Sequence, residues 1–217
     1  MIKEIFPAPV ESGKLKGMIE KEHYLEIANK HGRYASWAVW AEEEEKPKSN
    51  IGDIKIFNLD FNPNILSHLN PNIIMVGLNF SRKIENEKFI NFHDKSPHAH
   101  DYKIRYAFKN TICNGAYMTD IIKDFEQLIS GKVISYLKKN KGFEAQNIAI
   151  FKQEINDLKT DNPLIIAFGK PTYALLNKHF SNRHQIVQVP HYSMHISKEN
   201  YKNEIENYLK IINRNIE

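Results

Sequence analysis

Cysteine is almost missing from this 217-residue chain. The single Cys113 excludes an intramolecular disulfide framework and any site built from several thiolates, such as a zinc ribbon or an iron–sulfur cluster. Long apolar runs are missing too, and nothing approaches the ~20 residues that a membrane span requires, so no membrane partner is expected. The first residues, Met-Ile-Lys-Glu-Ile-Phe-Pro, lack the apolar core of a signal peptide, and with the lone cysteine this predicts a cytoplasmic location. No Gly-x-Gly-x-x-Gly fingerprint occurs, and Gly169-Lys170 lacks both the upstream glycine and the following Ser or Thr of a phosphate-binding loop. The Gly-x-Ser-x-Gly elbow of serine hydrolases is absent as well. A kinase, a nucleotide triphosphatase, a dinucleotide-dependent dehydrogenase and a serine hydrolase all lose their usual signatures, and no cofactor is expected. Excess charge is small: a net +4 permits contact with a polyanion without demanding it.

What is present suits one globular domain, with 41% hydrophobic and 26% charged residues. The stretch Asn72-Ile-Ile-Met-Val-Gly-Leu-Asn-Phe-Ser81 organises the rest. Its apolar, β-branched run is too short for a helix and reads as a strand buried on both faces. Further strands are predicted at Ala116–Ile122, Pro163–Gly169 and His184–Pro190. Helices are predicted over Met18–Asn29, Gln127–Asn140, Ala145–Leu158, Thr172–His179 and Lys198–Ile212. In the last, Tyr201, Ile205, Tyr208, Leu209 and Ile212 recur at helical spacing. Pro171 stands near a first helical position, where its missing N–H costs nothing. Strands alternating with helices predict an α/β fold: three layers, α/β/α, around a central four-stranded parallel sheet made by residues 71–217. Residues 1–70 are expected to form an extension packed on this core. Within them, Tyr34–Trp40 reads as a short strand or buried extended piece, and Ile54–Phe57 as a short strand leading into a helical turn.

The segment Arg82–Asn110 is polar and rich in histidine. His93, Asp94, His98, His100 and Asp101 could hold a metal, but no pair has the i, i+4 placement that offers two imidazoles to one ion, and no metal site is assigned. Lys83, Lys88, Lys95, Lys103 and Arg105 make the segment cationic, so it is expected to be a functional loop for a phosphate-bearing partner. Polar residues stand at three strand ends: Asn79, Asp120 and His191. In open α/β sheets ligands bind beyond the carboxyl ends of the strands, so these three could meet in one crevice. Each also has a plainer reading: Asn79 as a turn residue, His191 as a helix cap, and Asp120 as an acid near a helix N-terminus or paired with Lys123.

Gly77-Leu-Asn79 and His191-Tyr-Ser193 resemble the two motifs of the uracil-DNA glycosylase superfamily, Gly-x-Asn-Pro-Gly (or Gly-Gln-Asp-Pro-Tyr) and His-Pro-Ser. Ala116-Tyr-Met-Thr-Asp-Ile-Ile-Lys123 is similar to the Tyr-x-Thr-Asn-x-x-Lys stretch of one branch. Phe168-Gly-Lys-Pro-Thr-Tyr-Ala-Leu-Leu176 is similar to its third strand and helix. The resemblance covers about residues 71–212 in order. It departs from the family where Phe80-Ser81 replaces Pro-Gly or Pro-Tyr, where Tyr192 replaces the Pro of the second motif, and where Asp120 replaces the Asn that reads uracil.

The resemblance implies hydrolysis of an N-glycosidic bond in a damaged or modified base of DNA. Asn79 would orient a water, and His191 would stabilise the departing base. Gly77, Leu78, Phe80, Asp120, Ser193 and His195 would bind substrate, with Ser193 holding a phosphate and the Gly77 backbone letting the substrate come close. The alternatives are a catalytically inactive module that binds nucleic acid or a nucleotide, and an enzyme acting on a free nucleoside.

Overall fold

The computed structural model describes residues 19–41, 53–80, 87–94, 96 and 98–214. Its strands are β1 (Ala35–Trp37), β2 (Asn70–Asn79), β3 (Ala116–Ile122), β4 (Leu164–Phe168) and β5 (Ile186–Val189). They form one sheet in the order β1-β3-β2-β4-β5. β2 runs parallel to β3 and to β4, β4 runs parallel to β5, and β1 alone is antiparallel, against β3. The helices are α1 (Lys21–Lys30), α2 (Tyr102–Phe108), α3 (Ser130–Lys139), α4 (Lys141–Asp157), α5 (Gly169–Phe180) and α6 (Lys198–Arg214).

Alternation along the strands divides the core in two. Ile74, Val76, Tyr117, Ile165 and Ala167 face one layer, with Phe151 and Ile155 of α4 and Leu175 and Leu176 of α5. Ile73, Met75, Met118, Ile166 and Phe168 face the other, with Ile104 and Phe108 of α2 and Tyr201 and Ile205 of α6. Both faces of the central strands are therefore covered, which is why they read as continuous apolar runs rather than alternating ones. Each fully buried aliphatic or aromatic side chain here contributes about 1.5–3 kcal/mol.

The α/β architecture agrees with the expectation, and three details correct it. The sheet has five strands rather than four, because Ala35, Ser36 and Trp37 pair with Thr119, Met118 and Tyr117. Ile54–Phe57 is a 3-10 turn and not a strand: the Asp53 side chain accepts from the Lys55 backbone N–H, and Ile56 and Phe57 are buried beneath the turn. A second such turn spans Pro63–His68. Within the supposed loop of residues 82–110, Tyr102–Phe108 is helical. Lys103 and Arg105, expected on a cationic surface, are only 3% and 4% exposed. Lys103 Nζ donates to the Met194 carbonyl at 2.7 Å. Lys88 is engaged with the Asn29 side chain, and Lys83 and Lys95 lie outside the described residues. Among the described residues, no helix is long and apolar enough to cross a membrane.

Candidate active site

β3 lies to one side of β2 and β4 to the other, so the chain leaves the central strand in opposite directions at successive crossovers. The carboxyl ends of β2 and β4 thus form a topological switch point, the place where α/β sheets open a crevice for ligands. Asn79 ends β2 there and Gly169 follows β4. His191, just past β5, packs on that glycine. A Cβ on Gly169 would stand 3.3 Å from the His191 Cβ and 3.7 Å from its Cδ2, and the residue has φ +81°, so the backbone favours glycine and a side chain there would press on His191.

The imidazole of His191 is held through one nitrogen. Its Nδ1 lies 2.8 Å from Ser193 Oγ and accepts the Ser193 backbone N–H at 3.1 Å. An amide N–H can only donate, so Nδ1 carries no proton in the neutral ring and the proton sits on Nε2. Nε2 has no hydrogen-bond partner among the described residues. The ring stacks on Tyr192, with centroids 4.3 Å apart. Burial pushes the His191 pKa down to about 4, helped by the nearby His100. At neutral pH the side chain is an uncharged donor through Nε2. The Ser193 hydroxyl, expected to hold a phosphate, is engaged in fixing this tautomer.

Asn79 is locked through its amide nitrogen. Its Nδ2 lies within 2.7–2.9 Å of the carbonyls of Phe80, Phe125 and Gln127. Three carbonyl oxygens can face only the NH₂ end of the amide, which fixes Oδ1, an acceptor, away from them. The carboxyl end of β2 is thereby tied to the segment that follows β3.

Asp120 is aligned with Gly77 across the β2–β3 pair and is 4% exposed. A Cβ on Gly77 would fall 2.1 Å from Asp120 Oδ1. The space kept open by this glycine, expected to admit substrate, is therefore taken by the carboxyl group. Gly77→Ala is expected to cost about 1–3 kcal/mol, the range for overpacking a filled site. Urea unfolding measures it, and an unchanged midpoint would contradict the contact. Asn91 donates from Nδ2 to Asp120 Oδ2 and to the Tyr34 carbonyl, both at 3.0 Å, while its Oδ1 accepts the Phe92 backbone N–H. The plainer alternative, a side-chain pairing of Asp120 with Lys123, is not formed: Lys123 Nζ donates to the Asp120 backbone carbonyl.

Burial pushes the Asp120 pKa up to about 6, with the Asn91 hydrogen bond and Lys123 partly offsetting it. A carboxyl whose folded pKa lies above its unfolded value weakens the fold as pH rises. The penalty is absent below the unfolded pKa near 3.8 and complete above about 6. Its full size is on the order of 3 kcal/mol. Asp120→Asn is accordingly expected to raise stability at pH 8 by up to that amount and to leave it nearly unchanged at pH 4. Denaturant unfolding at the two pH values checks the difference.

Phe92, with φ +63°, places its ring against Gly77 and meets Tyr192 edge-on at 6.3 Å. Two aromatic rings therefore connect the Gly77–Asp120 pair to His191. Asn91 and Phe92 went unrecognised in the sequence, where nothing local separates them from other residues of a polar loop. Phe80 is buried, with its ring 5.3 Å from that of Tyr34. Leu78 departs from expectation: its side chain packs in the core with Ile74 and Val76. His195 is exposed.

The histidines and aspartates that suggested a metal are dispersed. His93 is buried against Phe57 and Trp40, and the Asp94 and Asp101 carboxylates accept backbone N–H groups of Ser96 and Asp94. Among the described residues, no group of three or more His, Cys, Asp or Glu is placed to hold a metal ion. Comparison with family models, with curated proteins and with solved structures gives no match for this chain.

Proposed function

We propose that the protein is a divergent, cytoplasmic member of the uracil-DNA glycosylase superfamily that hydrolyses the N-glycosidic bond of a damaged or modified base in DNA. The observation that carries the reading is the state of His191: uncharged, held through Nδ1, with no partner for its Nε2–H among the described residues. Breaking a glycosidic bond passes through an oxocarbenium-like sugar while negative charge grows on the departing base, which must first leave the stack. A preorganised neutral donor stabilises that charge, and removing such a donor costs ~10²–10³ in rate. Oδ1 of Asn79 would accept a proton of the attacking water and so orient it. An amide cannot take the proton as a carboxylate can, and a slow enzyme is expected.

Asp120 bears on the choice of base. Uracil offers an N–H beside a carbonyl, which a carboxylate faces with like charge, whereas a protonated carboxyl both donates and accepts. With a pKa of about 6, Asp120 changes from the second state to the first across the physiological range. Uracil is therefore expected to be a poor substrate at pH 8, and Asp120→Asn is expected to shift selectivity towards it. The test is incubation of both forms with single- and double-stranded oligonucleotides carrying uracil, hypoxanthine, xanthine or a mismatch, scored by abasic sites. Strong uracil excision by the wild type at pH 8, or an active variant with unchanged preference, defeats the assignment to Asp120.

The burial of Lys103 and Arg105 favours a second reading, action on a free nucleoside, because it removes two cations expected to grip a phosphate backbone. A protein that neutralises several phosphates loses affinity steeply as salt rises, and one that binds a small nucleoside does not. Binding measured from low to moderate salt separates the two.

A further inference from the structure

Behind Asp120, on the opposite face of β3, lies a buried set of polar groups that the mechanism does not use. Tyr117 and Thr119 are joined to α4 through Glu154, Thr119 by way of Lys123, while Asp120, the residue after Thr119, points to Gly77. Glu154 of α4 accepts the Tyr117 hydroxyl at 2.6 Å through Oε1, and its Oε2 lies 2.9 Å from Lys123 Nζ. Lys123 Nζ also donates to Thr119 Oγ1 and to the Asp120 carbonyl, and its backbone N–H donates to Asn147 Oδ1 at 2.6 Å. The side chains of Lys123 and Glu154 are 4% and 1% exposed. Two charges are rarely buried so completely without a reason beyond stability, since an apolar pair of similar volume often stabilises a fold as well or better.

The placement suggests the reason. Lys123 grips the backbone of Asp120 itself, so the ammonium both fixes the carboxyl-bearing residue and puts a positive charge beside it. Glu154, paired with that ammonium, adds a negative charge of smaller influence. Among the described residues, the groups that bear on the Asp120 charge are the Asn91 amide on its own side, Lys123 favouring the carboxylate, and Glu154 opposing it.

We propose that the Lys123–Glu154 pair sets the position and charge of Asp120 through the sheet, which makes both of them positioning residues for the site. This rests on the glycosylase reading only for its consequence, that the pair governs which base edge is accepted.

The test is a carboxyl-carbon NMR titration of Asp120 in the full chain, which needs no activity. Glu154→Gln keeps the shape and removes the opposing charge, so the Asp120 midpoint is expected to fall by about one pH unit, tenfold in proton affinity. Lys123→Met/Glu154→Met removes both charges, and because the cation has the larger influence the midpoint is expected to rise. Tyr117→Phe removes a hydrogen bond and no charge, and is expected to leave the midpoint within a few tenths of a unit, roughly the limit of such influences. Opposite shifts in the two charge variants are what a merely structural role would not produce. Midpoints that stay fixed, shift in the same direction, or move as far in Tyr117→Phe as in Glu154→Gln overturn the proposal. Base release is measured on the same variants. If no substrate releases a base while the midpoints shift as stated, the glycosylase reading fails and the control of Asp120 stands.

Discussion

His191→Ala is expected to slow base release by about 10²–10³ while leaving nucleic-acid affinity within a few-fold of the wild type. The division follows from where the imidazole acts. In the proposed reaction its Nε2–H would face charge that develops only as the glycosidic bond breaks, so its loss would raise the barrier without weakening the ground-state complex. The neutrality of the ring decides this division. A cation would attract the substrate's phosphates before reaction, and its removal would weaken binding as well as rate. Burial and the approach of His100 keep the ring uncharged, and Ser193 fixes which nitrogen bears the proton. Ser193→Ala should therefore lower the rate less than His191→Ala, since the backbone N–H of residue 193 still holds Nδ1. Single-turnover rates and equilibrium binding on one substrate decide the matter, and a loss confined to affinity would contradict the assigned role.

The second large effect concerns stability. Lys123→Met is expected to destabilise the fold by about 3–5 kcal/mol, because it leaves the Glu154 carboxylate buried without its cation. It also deprives Thr119 and the Asp120 carbonyl of their donor. Replacing Glu154 by Met in the same chain should recover most of the loss, since the cost belongs to the unpaired charge rather than to the missing side chain. Urea unfolding of the single and double variants gives the comparison. A single variant as stable as the wild type would mean that the pair is solvated rather than buried.

The parallel strands were legible because they are buried on both faces. Ile73 to Val76, Tyr117 to Ile122 and Leu164 to Phe168 are runs that only a doubly covered strand needs. The edge strand was half legible: Tyr34–Trp40 reads as extended, yet its pairing with β3 lies some 80 residues away in the chain, beyond any local pattern. Ile-Lys-Ile-Phe at residues 54–57 imitates strand alternation, and the Asp53 cap turned it into a 3-10 turn instead. The helix Tyr102–Phe108 stayed hidden because Lys103 and Arg105 read as surface charges, whereas both are buried. Asn79, Asp120 and His191 stood out as candidates because each is a polar residue in or just after an apolar strand. Asn91 did not: its importance comes from joining the Tyr34 carbonyl, Asp120 and the Phe92 backbone, three groups brought together only by the fold.

The most direct measurement is a single-turnover reaction with protein in excess over a labelled oligonucleotide, counting abasic sites and free base together across the panel of altered bases. Equal amounts of the two products are expected from at least one base with the wild type, and none above background with Asn79→Ala/His191→Ala. No release from any base by the wild type, or release undiminished in the double variant, would contradict the proposed reaction.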